Sequence, residues 1–225
     1  MKPYQELTLS GKLRRLSQLA RQALKQYDLP IGRCYLLNRS TNLIYAVYTT
    51  TGQRYILRLA TPGWRTLSDL RSEAMWLQAL RQETEIPVPE VILSAEGEAV
   101  VTVSAAEVPQ PHQATLMSWL PGVHLGHRLT PQNLLAMGEL FAQLHLHGKE
   151  WQPPAGFTTR QFTRFISRGE PEELLPKLAS RGVATTELDT LQTVMADVNG
   201  VYQALDPADM RVIHCDLWHD NIKLY

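Results

Sequence analysis

Cysteine is nearly absent: Cys34 and Cys215 are the only two in 225 residues, and they stand far apart. The first residues, Met1-Lys2-Pro3-Tyr4-Gln5-Glu6, lead into a charged segment and not into the apolar core of a signal peptide. Both thiols are therefore expected to be reduced, in a cytoplasmic protein. Charge of one sign is missing too, since Lys plus Arg and Asp plus Glu are 22 each. That balance argues against a nucleic-acid partner, which calls for a basic excess to displace phosphate counterions. No apolar run approaches the roughly 20 residues that span a bilayer, so no membrane partner is expected. Internal repeats, low-complexity tracts and a G-x-G-x-x-G phosphate loop are also lacking. What is present is an apolar fraction of 44% with 20% charged residues. That is the make-up of a globular chain, long enough for one large domain or two small ones.

Taken in order, the chain opens with a helix that Ser10 can cap. Its stripe is Leu13, Leu16, Leu19 or Ala20, Ala23 or Leu24, and Tyr27, with Lys12, Arg14, Arg15, Arg21 and Lys25 mostly on the solvated face. Pro30 and Gly32 interrupt it. Strand-formers then dominate 34–37, 43–49 and 54–59, joined by a polar Asn38-Arg39-Ser40-Thr41-Asn42 connection and a Thr51-Gly52 turn. The small hydroxyls of Ser40 and Thr41 in such a turn suit phosphate, although a plain surface hairpin looks the same.

A second helix, 67–82, is opened by the capping pattern Thr66-x-x-Asp69 and buries Leu70, Ala74, Leu77 and Leu80. Arg58, on the preceding strand, and Glu73, on this helix, taken alone make an ordinary surface pair. Ile86-Pro87-Val88-Pro89 connects to short strands at 91–93 and 99–103, a loop at 105–111 and a strand at 114–119. Leu120-Pro121-Gly122 stops regular structure, and strand-formers give way to helix-formers there. The reading is two parts, 1–120 and 121–225.

Thr130-Pro131 begins a helix carrying Leu134, Leu135, Gly138, Phe141, Leu144 and His145, stopped near Gly148. His145 and His147, two apart on a helix, point to different faces, so one packed and one exposed histidine is expected. One or two short helices are expected in 157–178, anchored by Phe162, Phe165 and Ile166. A longer helix at 187–205 bears Leu188, Leu191, Met195, Val198 and Tyr202, and Asp206-Pro207 ends it.

Met210, Val212 and Ile213 read as a buried strand that delivers His214, Asp216 and Asn221 into a loop, in the order H-x-D-x-x-x-x-N. That order resembles the catalytic loop of protein-kinase-like enzymes, which implies phosphoryl transfer. A carboxylate reaches an attacking hydroxyl while an amide oxygen, one loop-width away, reaches a metal on the phosphate chain.

The whole order resembles the aminoglycoside phosphotransferase family of small-molecule kinases, which includes choline-kinase-like enzymes. The residues that carry the resemblance are 213–222, Tyr55-Ile56-Leu57-Arg58, Ser72-Glu73-Ala74, Met117-Ser118-Trp119-Leu120-Pro121-Gly122 and Ala142-Gln143-Leu144-His145. It implies an α+β, protein-kinase-like bilobal fold, with an antiparallel β-sheet N-lobe and a mainly helical C-lobe that is incomplete at the C-terminus. It implies ATP and Mg2+ as cofactors and a small-molecule hydroxyl as acceptor. Asp216 is then the catalytic base, Asn221 the magnesium ligand and His214 a brace for the loop. Arg58 takes the place of the phosphate-holding lysine, with Glu73 as its partner, and backbone groups of Ser118, Trp119 and Leu120 meet the adenine. Cys215 stands where relatives often carry glycine.

The family's second metal-binding Asp follows the catalytic loop, and no acidic residue comes after Asp220 here. These 225 residues alone are therefore expected to be nearly inactive, with an under-packed helical part. Two other readings stay open. One is a nucleotide-binding or regulatory module without catalysis. The other is a metal-dependent oxygenase that uses His214 and Asp216 with a distant histidine.

Overall fold

The computed structural model describes residues 2–165 and 173–225. Its organising layer is one antiparallel sheet, ordered β1 (Ile31–Arg39), β2 (Asn42–Thr49), β3 (Arg54–Ala60), β6 (His112–Ser118) and β4 (Val91–Ile92), with β5 (Val101–Val103) also on β6. The alternation of strand side chains divides the sheet into two faces. Leu43, Tyr45 and Val47 of β2 and Leu57 and Leu59 of β3 point one way, into a core closed by Leu16, Leu19, Ala20, Ala23 and Leu24 of helix α1 (Leu9–Leu24). Arg58, between two of these residues on the central β3, is thereby turned to the other face, paired with Ile44 and Thr115 on its neighbouring strands.

Helix α2 (Leu67–Glu83) opens with the expected capping box. Thr66 Oγ1 accepts from the Asp69 amide, and Asp69 accepts from the Thr66 amide. Its buried residues are Leu70, Ser72, Ala74, Trp76, Ala79 and Leu80, while Leu77 is only half-buried. The stripe is broader than the sequence suggests because α2 is covered from two directions. Leu70 packs with Ala60 and Val100 at the sheet, and Trp76 and Leu80 pack with Leu144 of helix α3 (Pro131–Glu150). Val212 and Leu217 join this second cluster, so the motif loop is seated on the same core as α2.

Several expectations are corrected. Thr8, and not Ser10, caps α1, and Arg15 is buried, not solvated. The Arg15 stem lies in the core while its guanidinium bonds the Glu107 carboxylate and the carbonyls of Glu107 and Lys2. Strand β1 starts at Ile31, ahead of Gly32, and leaves only Ser40-Thr41 as the turn. Helix α3 continues through Gly148 to Glu150. There, a Cβ on Gly148 would collide with the Val212 carbonyl oxygen, so this glycine lets the backbone before the motif cross the helix. That crossing also explains why 210–213 forms no strand. Val212 turns inward, but Met210 and Ile213 are exposed and no ladder partner lies beside them among the described residues.

Of α3's expected stripe only Leu144 is buried, and Leu134 and Leu135 lie open to solvent. His147 is packed and His145 exposed, as the two-residue spacing requires. In the stretch 157–178 the described residues form one helix, α4 (Leu174–Ser180). Phe162 and Phe165 are exposed rather than anchored, and Ile166 lies outside the described residues. Helix α5 (Thr185–Ala204) buries only Met195. No helix among the described residues is long and apolar enough to cross a membrane.

Candidate active site

Two polar clusters are linked through His214. The first is the loop 214–221. Cys215 adopts φ 61°, the one non-glycine residue in the left-handed region among those described. Across that turn the Asp216 amide donates to His214 Nδ1 at 3.3 Å. A short 3-10 turn, His219–Asn221, then folds the chain back. Asn221 Nδ2 donates to the Asp216 carbonyl at 2.7 Å and to its carboxylate Oδ2 at 3.2 Å. The amide therefore spends its donor side on Asp216 and leaves its oxygen available to a cation. One carboxylate and one amide oxygen are hard donors that suit magnesium, which takes few protein ligands and fills its shell with water and phosphate.

The loop is held from behind. Strand β7 (Val123–His124) pairs with β8 (Lys223–Leu224), His124 Nδ1 meets the Asp220 carbonyl at 2.6 Å, and the Leu125 amide donates to the Ile222 carbonyl at 2.9 Å. Gly126 lies so close under His219 and Asp220 that a Cβ would collide with both side chains.

The second cluster is built on Glu73. Its carboxylate takes both arms of the Arg58 fork, at 2.8 and 3.0 Å, and a third bond at 2.5 Å from Arg65. Burial pushes the Glu73 carboxyl up, but Arg58 and Arg65 together outweigh it and hold it below its usual range. Two guanidinium groups against one carboxylate leave positive charge in excess, which favours a polyanion. This exceeds the modest surface pair that the sequence alone suggests, because Arg58 and Glu73 are mostly buried, with 13% and 23% of their side chains exposed. Arg65 is the residue that sequence reasoning missed. It lies in the Gly63-Trp64-Arg65 loop ahead of the capping box, where only its position after β3 could have marked it.

Glu73 and Arg65 both act on His214, which ties the clusters together. Burial lowers the His214 pKa, Asp216 and Glu73 raise it, Arg65 lowers it, and the net direction is down. A neutral ring is what its Nδ1 needs to accept the Asp216 amide. Burial pushes the Cys215 thiol up, away from the thiolate form.

The remaining candidates are placed less closely. The Ser118 amide donates to the Glu90 carbonyl and the Trp119 amide to the Arg54 carbonyl, so two of the three hinge amides are committed to the sheet. The Leu120 amide has no such bond among the described residues. Trp119 lies between Arg54 and Lys223, at 5.2 and 5.8 Å from its ring centre. Ser40 and Thr41 form the exposed tip between β1 and β2, and no hydrogen bond joins them to either cluster among the described residues.

Residues 36–224 match the profile of the phosphotransferase enzyme family. The chain belongs to that family. A microcompartment-associated aminopropanol kinase superposes with a TM-score of 0.56 and 32% identity, over 65% of this chain and 45% of that one. An amicoumacin kinase, solved with AMP-PNP and Ca2+, gives a TM-score of 0.63 at 19% identity, over 86% of this chain and 55% of that one. An uncharacterized protein of Synechocystis sp. is 30% identical over 139 residues, 61% of this chain and 37% of its own. The chain thus spans about half the length, or less, of these relatives. Within the family the antiparallel sheet, the helices and the motif loop form a protein-kinase-like α+β fold.

Proposed function

We propose that this phosphotransferase transfers the γ-phosphate of ATP, with Mg2+, to a hydroxyl of a small molecule. The observation that carries the reading is the double hold of Asn221 on Asp216, at 2.7 and 3.2 Å. It fixes the carboxylate and leaves an amide oxygen beside it. In this reading Asp216 takes the acceptor proton and Asn221 and Asp216 face the metal. Arg58, with Arg65, meets the phosphates, and Glu73 fixes the guanidinium fork. Bound magnesium would neutralise charge on the terminal phosphates. His214 braces the loop. Adenine is read by the Leu120 amide and by hinge carbonyls, since the Ser118 and Trp119 amides are occupied. Ser40 and Thr41 would meet phosphate only if the β1–β2 tip folds inward.

The division of labour follows the composition change near Leu120. Residues 1–120 hold the nucleotide, and 121–225 supply the loop and part of the acceptor side. Two free thiols and the absence of a membrane-spanning helix among the described residues support a cytoplasmic setting. The aminopropanol kinase that is 32% identical makes a short amino alcohol the first acceptor to assay.

Titration of Mg-ADP tests the nucleotide site, and a coupled assay with Mg-ATP and an amino alcohol tests the transfer. Saturable, Mg2+-dependent nucleotide binding is expected, and absence of nucleotide binding would overturn the assignment.

A further inference from the structure

Helix α2 is tied across to the helical part at two points that the reaction does not itself use. Ser72, only 1% exposed, donates its hydroxyl to the Thr158 carbonyl at 2.6 Å and accepts the Thr158 amide at 2.8 Å. One turn further on, Trp76 Nε1 donates to His147 Nδ1 at 3.3 Å, and His147 Nε2 meets Glu83 at 3.1 Å. Residues 72 and 76 share a face of the helix. Both contacts therefore fix the same thing, the rotation of α2 about its own axis.

Glu73 follows Ser72 directly and projects about 100° round the helix, toward β3 and Arg58. A rotation of about 20° would carry a carboxylate at the ~6 Å outer radius of a helix through about 2 Å. That is enough to break a two-point bond to a guanidinium. A serine hydroxyl inside a helix commonly turns back to its own backbone, and here it is spent on a distant segment instead.

We infer that Ser72 is a positioning residue: its two-point clasp on the Thr158 backbone sets the rotation of α2 that places Glu73 under Arg58 and Arg65. The functional meaning rests on the reading of that cluster as the phosphate holder, but the placement is measurable without nucleotide. The charged and titratable groups that face Glu73 are Arg58, Arg65 and His214, and the two guanidinium charges hold its carboxyl low. In Ser72→Ala the carboxyl, followed by side-chain NMR, should titrate higher, toward its ordinary range, while the amide spectrum of the sheet is unchanged. Ser72→Thr, which keeps the hydroxyl, should restore the low titration. Glu73 titrating alike in the wild type and Ser72→Ala would overturn the inference.

A second arm reads Mg-ADP affinity in Ser72→Ala, Glu73→Gln and the double variant. About a tenfold loss is expected for Ser72→Ala, and no further loss when it is added to Glu73→Gln, because the serine acts through the glutamate. Full additivity would show a role independent of Glu73 and sink the claim. A wild type that binds no Mg-ADP would refute the functional reading, leaving the titration to decide the placement.

Discussion

Asn221 makes two bonds to Asp216 with one NH2 group, so its removal affects both partners. Asn221→Asp should keep an oxygen for the cation but set two carboxylates side by side. It should therefore replace an attractive bond by like-charge repulsion and weaken loop packing, read as a lower Tm. His214 gives a pH test at the same scale. Its pKa is lowered, chiefly by burial, so its contribution to stability is whole above the unfolded value of about 6.5 and falls away below it. An imidazole NMR titration should place His214 below ~6.5, with Nδ1 unprotonated at neutral pH. A midpoint at or above that value would contradict the loop geometry. Glu73 has the same sign at lower pH. Its depressed carboxyl contributes above the unfolded value of about 4.3, and that contribution is lost as acid carries the pH down through the folded value.

At the scale of elements the clearest test lies in helix α3. Gly148→Ala would push a methyl into the Val212 carbonyl, costing about 1–3 kcal/mol and several degrees of Tm. Gly138→Ala, on the same helix with open space around it, should add about 0.5–1 kcal/mol. Thermal melts of the two variants moving in the same direction would refute the crossing described. Elements with local signals were readable from sequence alone: the β-hairpins by their strand-formers and turns, α2 by Thr66 and Asp69, α3 by Thr130-Pro131. What was not readable depends on partners distant in the chain. Arg15 looked solvated because Glu107 is invisible from its helix, and Gly148 looked like a stop because Val212 is not adjacent. Residues 210–213 looked like a strand because apolar composition does not say whether a neighbouring strand exists. In the site, the order of His214, Asp216 and Asn221 could be read because one loop carries all three. Arg65 and the Ser72 clasp could not, since each acquires its meaning only through contacts between elements.

The molecule as a whole is packed unevenly. Buried apolar side chains concentrate between α1 and the sheet and between α2 and α3, whereas Leu135, Leu146, Val201, Met210 and Trp218 are exposed. Hydrogen exchange should therefore be slowest in β2, β3 and β6 and fast from 205 to 216. Equal protection of the two regions would contradict this distribution. Function depends on whether the better-packed part and the motif loop hold one ligand between them. The most direct measurement is calorimetric titration of ADP, with Mg2+ and in EDTA, into the wild type and Asn221→Ala. The account predicts binding that Mg2+ strengthens in the wild type, and loss of that Mg2+-dependent gain in Asn221→Ala. Equal Mg2+-dependent affinity in the two proteins, or no binding by either, would contradict it.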